Sequence, residues 1–233
     1  MDREVRRLSH LKGSRIKSVL SLPLNSEGVN GDQMMVNSRL FVKDKDRWID
    51  VASQSQVRNT LYAYFGVAST LGIPNGSGTH YAVPFNMYYS SSAFITLGTT
   101  TSSPDSSLAI SSGAGNIADD ILVYMWYIPD NIKIQNIDVW IGGNASDGDS
   151  ILLHLMSYDI VRADGATCGD LSGGVVVADG AAISHDGYEQ TDYQSMTIQN
   201  GNIDSGKAVF LTLHADGTNS DYAVNAIVKY YLR

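Results

Sequence analysis

The chain has 233 residues, 43% of them hydrophobic and only 17% charged, with 16 Lys and Arg against 24 Asp and Glu. That apolar content fills a core and excludes a disordered chain, while 22 glycines and abundant Ser, Thr, Asn and Asp fit strands joined by turns better than a helical bundle. The single cysteine, Cys168, excludes an intramolecular disulfide and a Cys-cluster metal site, and no apolar run is long enough to span a membrane as a helix.

The charge is unevenly divided. Residues 1–58 hold 11 Lys and Arg against 7 Asp and Glu, whereas residues 59–233 hold 5 against 17. The basic end is an N-terminal arm over residues 1–25, with Arg3, Arg6, Arg7, Lys12, Arg15 and Lys17. Val5, Leu8 and Leu11 share one face at helical spacing, and Ile16, Val19, Leu20 and Leu22 continue the apolar strip. An arm of this kind is expected to dock on an acidic partner surface, in preference to nucleic acid. Lys17 and the neighbouring serines interrupt the apolar region that a signal peptide needs.

Residues 26–54 are expected to form a small β-meander. Its strands centre on Met34 and Val36, Leu40 and Val42, and Trp48 and Ile49, with turns at Asn37-Ser38 and Asp44-Lys45-Asp46. So small a sheet is marginal alone and calls for burial against neighbouring chains. Residues 55–118 are expected to hold a polar linker, early strands and a flexible Ser/Thr/Gly-rich loop at 99–118. Residues 119–233 would form the sandwich core, with 61–233 as one β domain. Strands are expected at Leu61–Val67, Tyr81–Tyr88, Ala93–Leu97, Ile121–Ile128, Ile132–Ile141, Ser150–Asp159, Gly174–Ala178, Ser195–Ile198, Lys207–His214 and Tyr222–Leu232. Ile137, Val139 and Ile141 alternate with Asp138 and Trp140, whereas the strand around Ile151–Met156 is apolar on both faces. Short strands at this spacing indicate an all-β antiparallel sandwich or jelly roll.

No nucleophile elbow, phosphate loop or zinc-binding histidine spacing is present. His154 reads as a sheet residue, His214 as the end of a strand at the turn before Ala-Asp-Gly, and Cys168 has no recognisable base, so no catalytic residue and no cofactor are assigned. Asn144, Asp147 and Asp149, and Asp216, Asn219 and Asp221, offer oxygen ligands of the kind calcium takes. Hairpin turns are the preferred reading of both groups, and no metal is assigned. The remaining candidates are aromatic. Trp48, Tyr62, Tyr64, Tyr88, Tyr89 and Trp126 supply large, stiff, amphipathic area for a subunit interface or a ligand.

Two stretches resemble known proteins. Gly28, Gly31 and Asp32, followed by Val36, Leu40 to Lys43 and Trp48 to Val51, resemble a short element near the N-terminus of many tailed-phage virion proteins. Ile128 to Asp130 with its following strands, then Asn202–Gly206, Lys207–His214 and Tyr222–Leu232, are similar to the jelly-roll domains of phage accessory structural proteins. The resemblance implies a non-enzymatic protein of the virion surface, a homotrimer. It would be a capsid decoration (cement) protein gripping the major capsid protein or another virion protein through its arm, with no nucleic-acid or membrane partner. The alternative it implies is a tail-fibre or tail-tip adhesin that binds a host glycan or receptor through the β domain. A depolymerase and a lectin-like module without a virus are further readings.

Overall fold

A computed structural model describes residues 17–37, 39–53, 60–67, 72–74, 78–86, 94–99, 103–110, 117–143, 147–186, 189–216 and 222–233. The chain divides into two compact units, Met1–Asn59 and Thr60–Arg233.

In the first unit, β1 (Lys17–Val19), β2 (Gln33–Val36), β3 (Arg39–Asp44) and β4 (Arg47–Ser53) form one sheet in that order. The meander β2–β3–β4 is antiparallel, and its turns place Asn37 (φ 49°) and Lys45 (φ 52°) in the left-handed region. Lys17–Val19, within the expected docking arm, is a strand that pairs parallel to β2, with Val19 opposite Val36. Gly28 (φ 87°) lies against Trp48, since a Cβ there would sit 2.8 Å from the indole. The Lys43 ammonium is 5.8 Å from the centre of the same ring.

The second unit is a sandwich built on strands β5 (Leu61–Val67), β6 (Tyr81–Val83), β8 (Ile132–Gly143), β9 (Asp147–Ile160), β10 (Leu171–Asp179), β12 (Gln190–Ser195), β15 (Lys207–Ala215) and β16 (Tyr222–Leu232). One sheet has the order β12-β8-β16-β5, and the other runs β10-β9-β15-β6. Among these strands the chain changes sheet at every connection except β9 to β10, which are antiparallel neighbours. This is jelly-roll topology. Short strands extend it: β7 (Trp126–Tyr127) pairs with β15, β11 (Ile183–Asp186) with β9, β13 (Thr197–Ile198) with β10, and β14 (Asn202–Ile203) with β8.

The main core lies between the sheets, where Phe65, Ile137, Val139, Leu153, Leu211 and Val228 are buried. A second core covers the outer face of the β10-β9-β15-β6 sheet. There Met156, Tyr158 and Phe210 pack against Leu97, Ile121 and Tyr124. This explains why β15 is buried along nearly its whole length: apolar side chains meet a cover on both faces.

Several other expectations change. Ile121–Ile128 is not a strand; Ile117–Tyr124 is helix α1, followed by β7. Ile121 and Tyr124, three residues apart, enter the second core while Leu122 faces solvent, so helical spacing overrides the β-branched composition. The Tyr81 strand stops at Val83, because Pro84 has no N–H to donate and Asn86 (φ 58°) turns the chain. Of the expected Ala93–Leu97 strand, the described residues 94–97 form an isolated bridge, Thr96 to Tyr81. Within the 99–118 loop, 103–110 lies along β10: Leu108 bridges Leu171, and Gly174 donates to the Ser106 carbonyl at 2.9 Å. The Ser195–Ile198 strand is instead two strands on different sheets, with buried Met196 between them.

Candidate functional site

The β12-β8-β16-β5 sheet has no second cover among the described residues. Its outer face can be laid out from the pairing register. Trp140 stands opposite both Asn225 and Tyr193, Asp138 opposite both Ile227 and Ser195, and Tyr64 opposite Ile227. Tyr62 stands opposite Lys229, which is itself opposite Asn136. Strand alternation puts these side chains on one face because their neighbours Ile137, Val139 and Ile141 point into the core.

At one edge Trp140 and Tyr193 are 40% and 57% exposed, with ring centres 5.1 Å apart. Beside them runs a chain of polar contacts. Ser195 Oγ donates to Asn136 Oδ1 (3.0 Å), Asn136 Nδ2 to Asp138 Oδ2 (2.6 Å), and Tyr193 Oη to Asp138 Oδ1 (2.9 Å). The hydrogen bond to Asp138 raises the Tyr193 phenol above its ordinary value, with smaller contributions from desolvation and from the Asp138 charge. At the other edge Tyr62 and Tyr64 are exposed. The result is aromatic surface flanking polar groups fixed on rigid strands, an arrangement suited to recognition.

The aromatic candidates from sequence therefore separate. Tyr62 and Tyr64 are on this face. Trp126 is corrected: it is buried in the main core against Tyr230, Phe85 and Phe65, with ring centres 4.9, 6.0 and 6.4 Å away. Trp48 is likewise buried, within the first unit, so neither indole is free for a partner. Tyr88 and Tyr89 lie outside the described residues. Trp140 was legible as outward-facing in the alternation of β8. Tyr193 was not, because β12 carries no apolar alternation to mark it.

The docking candidates Arg3, Arg6, Arg7, Leu8, Leu11, Lys12 and Arg15 lie outside the described residues, and Lys17 opens β1. The stretch after β1 is apolar and exposed. Leu20 is 95% and Leu24 70% accessible, Leu22, Val29 and Val51 are exposed too, and Val36 and Trp48 are the buried apolar residues described in that unit.

The acidic loops are not the hairpin turns expected. β8 and β9 belong to different sheets, as do β15 and β16, so neither pair of strands is a hairpin. Asp149 is buried and accepts a hydrogen bond from Tyr222 Oη. His185, also buried, stacks edge-on against that tyrosine at 5.8 Å and reaches Asp192 at 3.4 Å. Asp216 accepts from the Ser150 N–H at 2.5 Å, tying the end of β15 to the start of β9. Asp221, Asn144 and Asn219 and the Asp147 side chain lie outside the description. Among the described residues no three His, Cys, Asp or Glu side chains converge on a metal-sized position.

His214 lies in β15, within the strand expected there, and three histidines far apart in sequence meet around it. His80 lies 5.0 Å from His214 and 5.2 Å from His154 between ring centres, and all three are buried. Among the described residues no helix is long and apolar enough to cross a membrane. No protein-family model matches the chain, and no curated protein matches it.

Proposed function

We propose that this chain is a non-enzymatic structural protein of a virus particle: a trimeric capsid decoration protein that grips the shell through its N-terminal region and projects its jelly roll outward. The observation that carries the reading is the imbalance within the first unit. A four-stranded sheet with Val36 and Trp48 buried leaves Leu20, Leu22, Leu24 and Val51 in solvent. A sheet this small gains little from its own core, so covering that apolar surface on a partner would stabilise it. The excess of Lys and Arg in residues 1–58 suits an acidic partner, and the acidic remainder suits exposure to solvent. Jelly rolls host many functions, so topology supports the reading only as a scaffold.

The test is attachment. In the full chain, Leu20→Ser with Leu24→Ser is expected to abolish binding to particles stripped of the protein while leaving the melting temperature of the jelly roll unchanged. Undiminished binding would overturn the docking assignment. Native mass spectrometry of the same chain is expected to give a trimer.

A second reading, a tail-fibre or tail-tip adhesin, is favoured by one feature, the open aromatic face of the β12-β8-β16-β5 sheet. Binding of a host glycan by the full chain that is lost in Trp140→Ala would shift the assignment to it.

A further inference from the structure

The histidines lie on the outer face of the β10-β9-β15-β6 sheet, the side that carries the second core. Each contributes a different constraint. His214 Nε2 accepts the Gly78 N–H at 3.1 Å, so its proton resides on Nδ1, which is buried with no hydrogen-bond partner among the described residues. His154 Nδ1 meets Asp179 Oδ1 at 2.7 Å, and its Nε2 is likewise buried without a partner there. His80 sits between the two rings, and its backbone holds the covering segment: its N–H donates to the Gly98 carbonyl (3.0 Å) and its carbonyl accepts from Leu97 (2.7 Å). Ala82 donates to the Ile95 carbonyl at 2.8 Å.

We propose that His80, His154 and His214 form an acid-sensitive latch holding residues 78–80 and segment 94–99 in place along the β6 end of this sheet. A proton taken up at His214 Nε2 turns the acceptor of the Gly78 N–H into a donor. That bond is lost, and a positive charge is left buried against neighbouring imidazoles. Among the described residues, the charged groups that act on His154 and His214 are Asp179, on β10, and Asp216, just beyond β15. Segments 78–83 and 94–99 bring no charged side chain. Burial holds His214 below its ordinary value; Asp216 opposes this and His154 reinforces it. With the folded value depressed, the unfolded chain binds more protons, so the stabilisation is present above the ordinary histidine value and is lost as pH falls through the folded one.

Opening of 94–99 exposes Ile95 and Leu97, which belong to the second core, whereas Val83, at the end of β6, is held in the core between the sheets. Hydrogen exchange of the full chain, corrected for intrinsic rates, tests this between pH 7 and pH 4. Protection of the Gly78, His80 and Leu97 amides is expected to fall by up to about tenfold per pH unit per proton taken up, with β8 and β16 unaffected. His214→Gln keeps an acceptor but cannot take the proton, and should flatten the dependence. Unchanged protection, an equal fall in the variant, or a simultaneous fall in β8 and β16 would overturn the proposal. Should the variant not fold, the His214 imidazole resonances of the unmodified chain decide. They must titrate with the same midpoint as the loss of Leu97 protection, and independent midpoints overturn the latch.

Discussion

The two outer faces of the sandwich are built from strands of similar length and treated in opposite ways. The outer face of β10-β9-β15-β6 is covered by α1 and by segments 94–99 and 103–110, which turn it into a second core around Phe210 and Tyr158. The outer face of β12-β8-β16-β5 presents Tyr62, Tyr64, Trp140 and Tyr193 to solvent. Aromatic side chains do not by themselves decide which face is buried. Position does: Phe210 is opposite Met156 beneath the cover, whereas Trp140 is opposite Tyr193 beside a polar network. One face is closed into a core and the other is open to solvent.

Truncation on the covered face gives the largest expected effect. Phe210→Ala removes a fully buried ring that packs edge-on against Tyr158 at 5.8 Å, and should cost about 3–5 kcal/mol in urea unfolding. A cost below about 1 kcal/mol would mean that the second core is not packed as described. A smaller effect is expected from Tyr158→Phe, which keeps the ring and deletes the hydroxyl that donates to the Asp105 carbonyl at 2.9 Å; about 0.5–1.5 kcal/mol should be lost. Burial, reinforced by the Asp105 charge, also pushes this phenol well above the ordinary tyrosine range, so it should stay protonated through mild alkali until the cover opens. The smallest effect on stability belongs to the open face. Trp140→Ala should change unfolding by no more than about 0.5 kcal/mol. A large loss there would show that the face is structural and end the contrast.

The two faces were also unequally legible in the sequence. β5 and β16 occur at their expected bounds, because alternation on a half-covered sheet is a clean signal. The strand at Ile151–Met156 read as apolar on both faces, and the second core is the physical reason. The helix that supplies part of that core was hidden. Ile121-Leu122-Val123 has the composition of a strand, and only its packing makes it helical. The histidine cluster was invisible because His80, His154 and His214 are brought together by register: Thr212 pairs with both His154 and Ala82, which carries His214 to His80. Asp149 read as a turn residue for the same reason, since its partner Tyr222 lies 73 residues away. The exposed leucines after β1 were legible as an apolar strip, but not as the continuation of a parallel edge strand.

The copy number per particle tests most directly where the protein works. Quantitative mass spectrometry of purified particles, referenced to the major capsid protein, should give on the order of hundreds of chains, in multiples of three, because an icosahedral shell repeats its sites and a decoration protein follows them. A count of roughly a dozen, set by the lower symmetry of a tail, or absence from the particle, would contradict the decoration assignment.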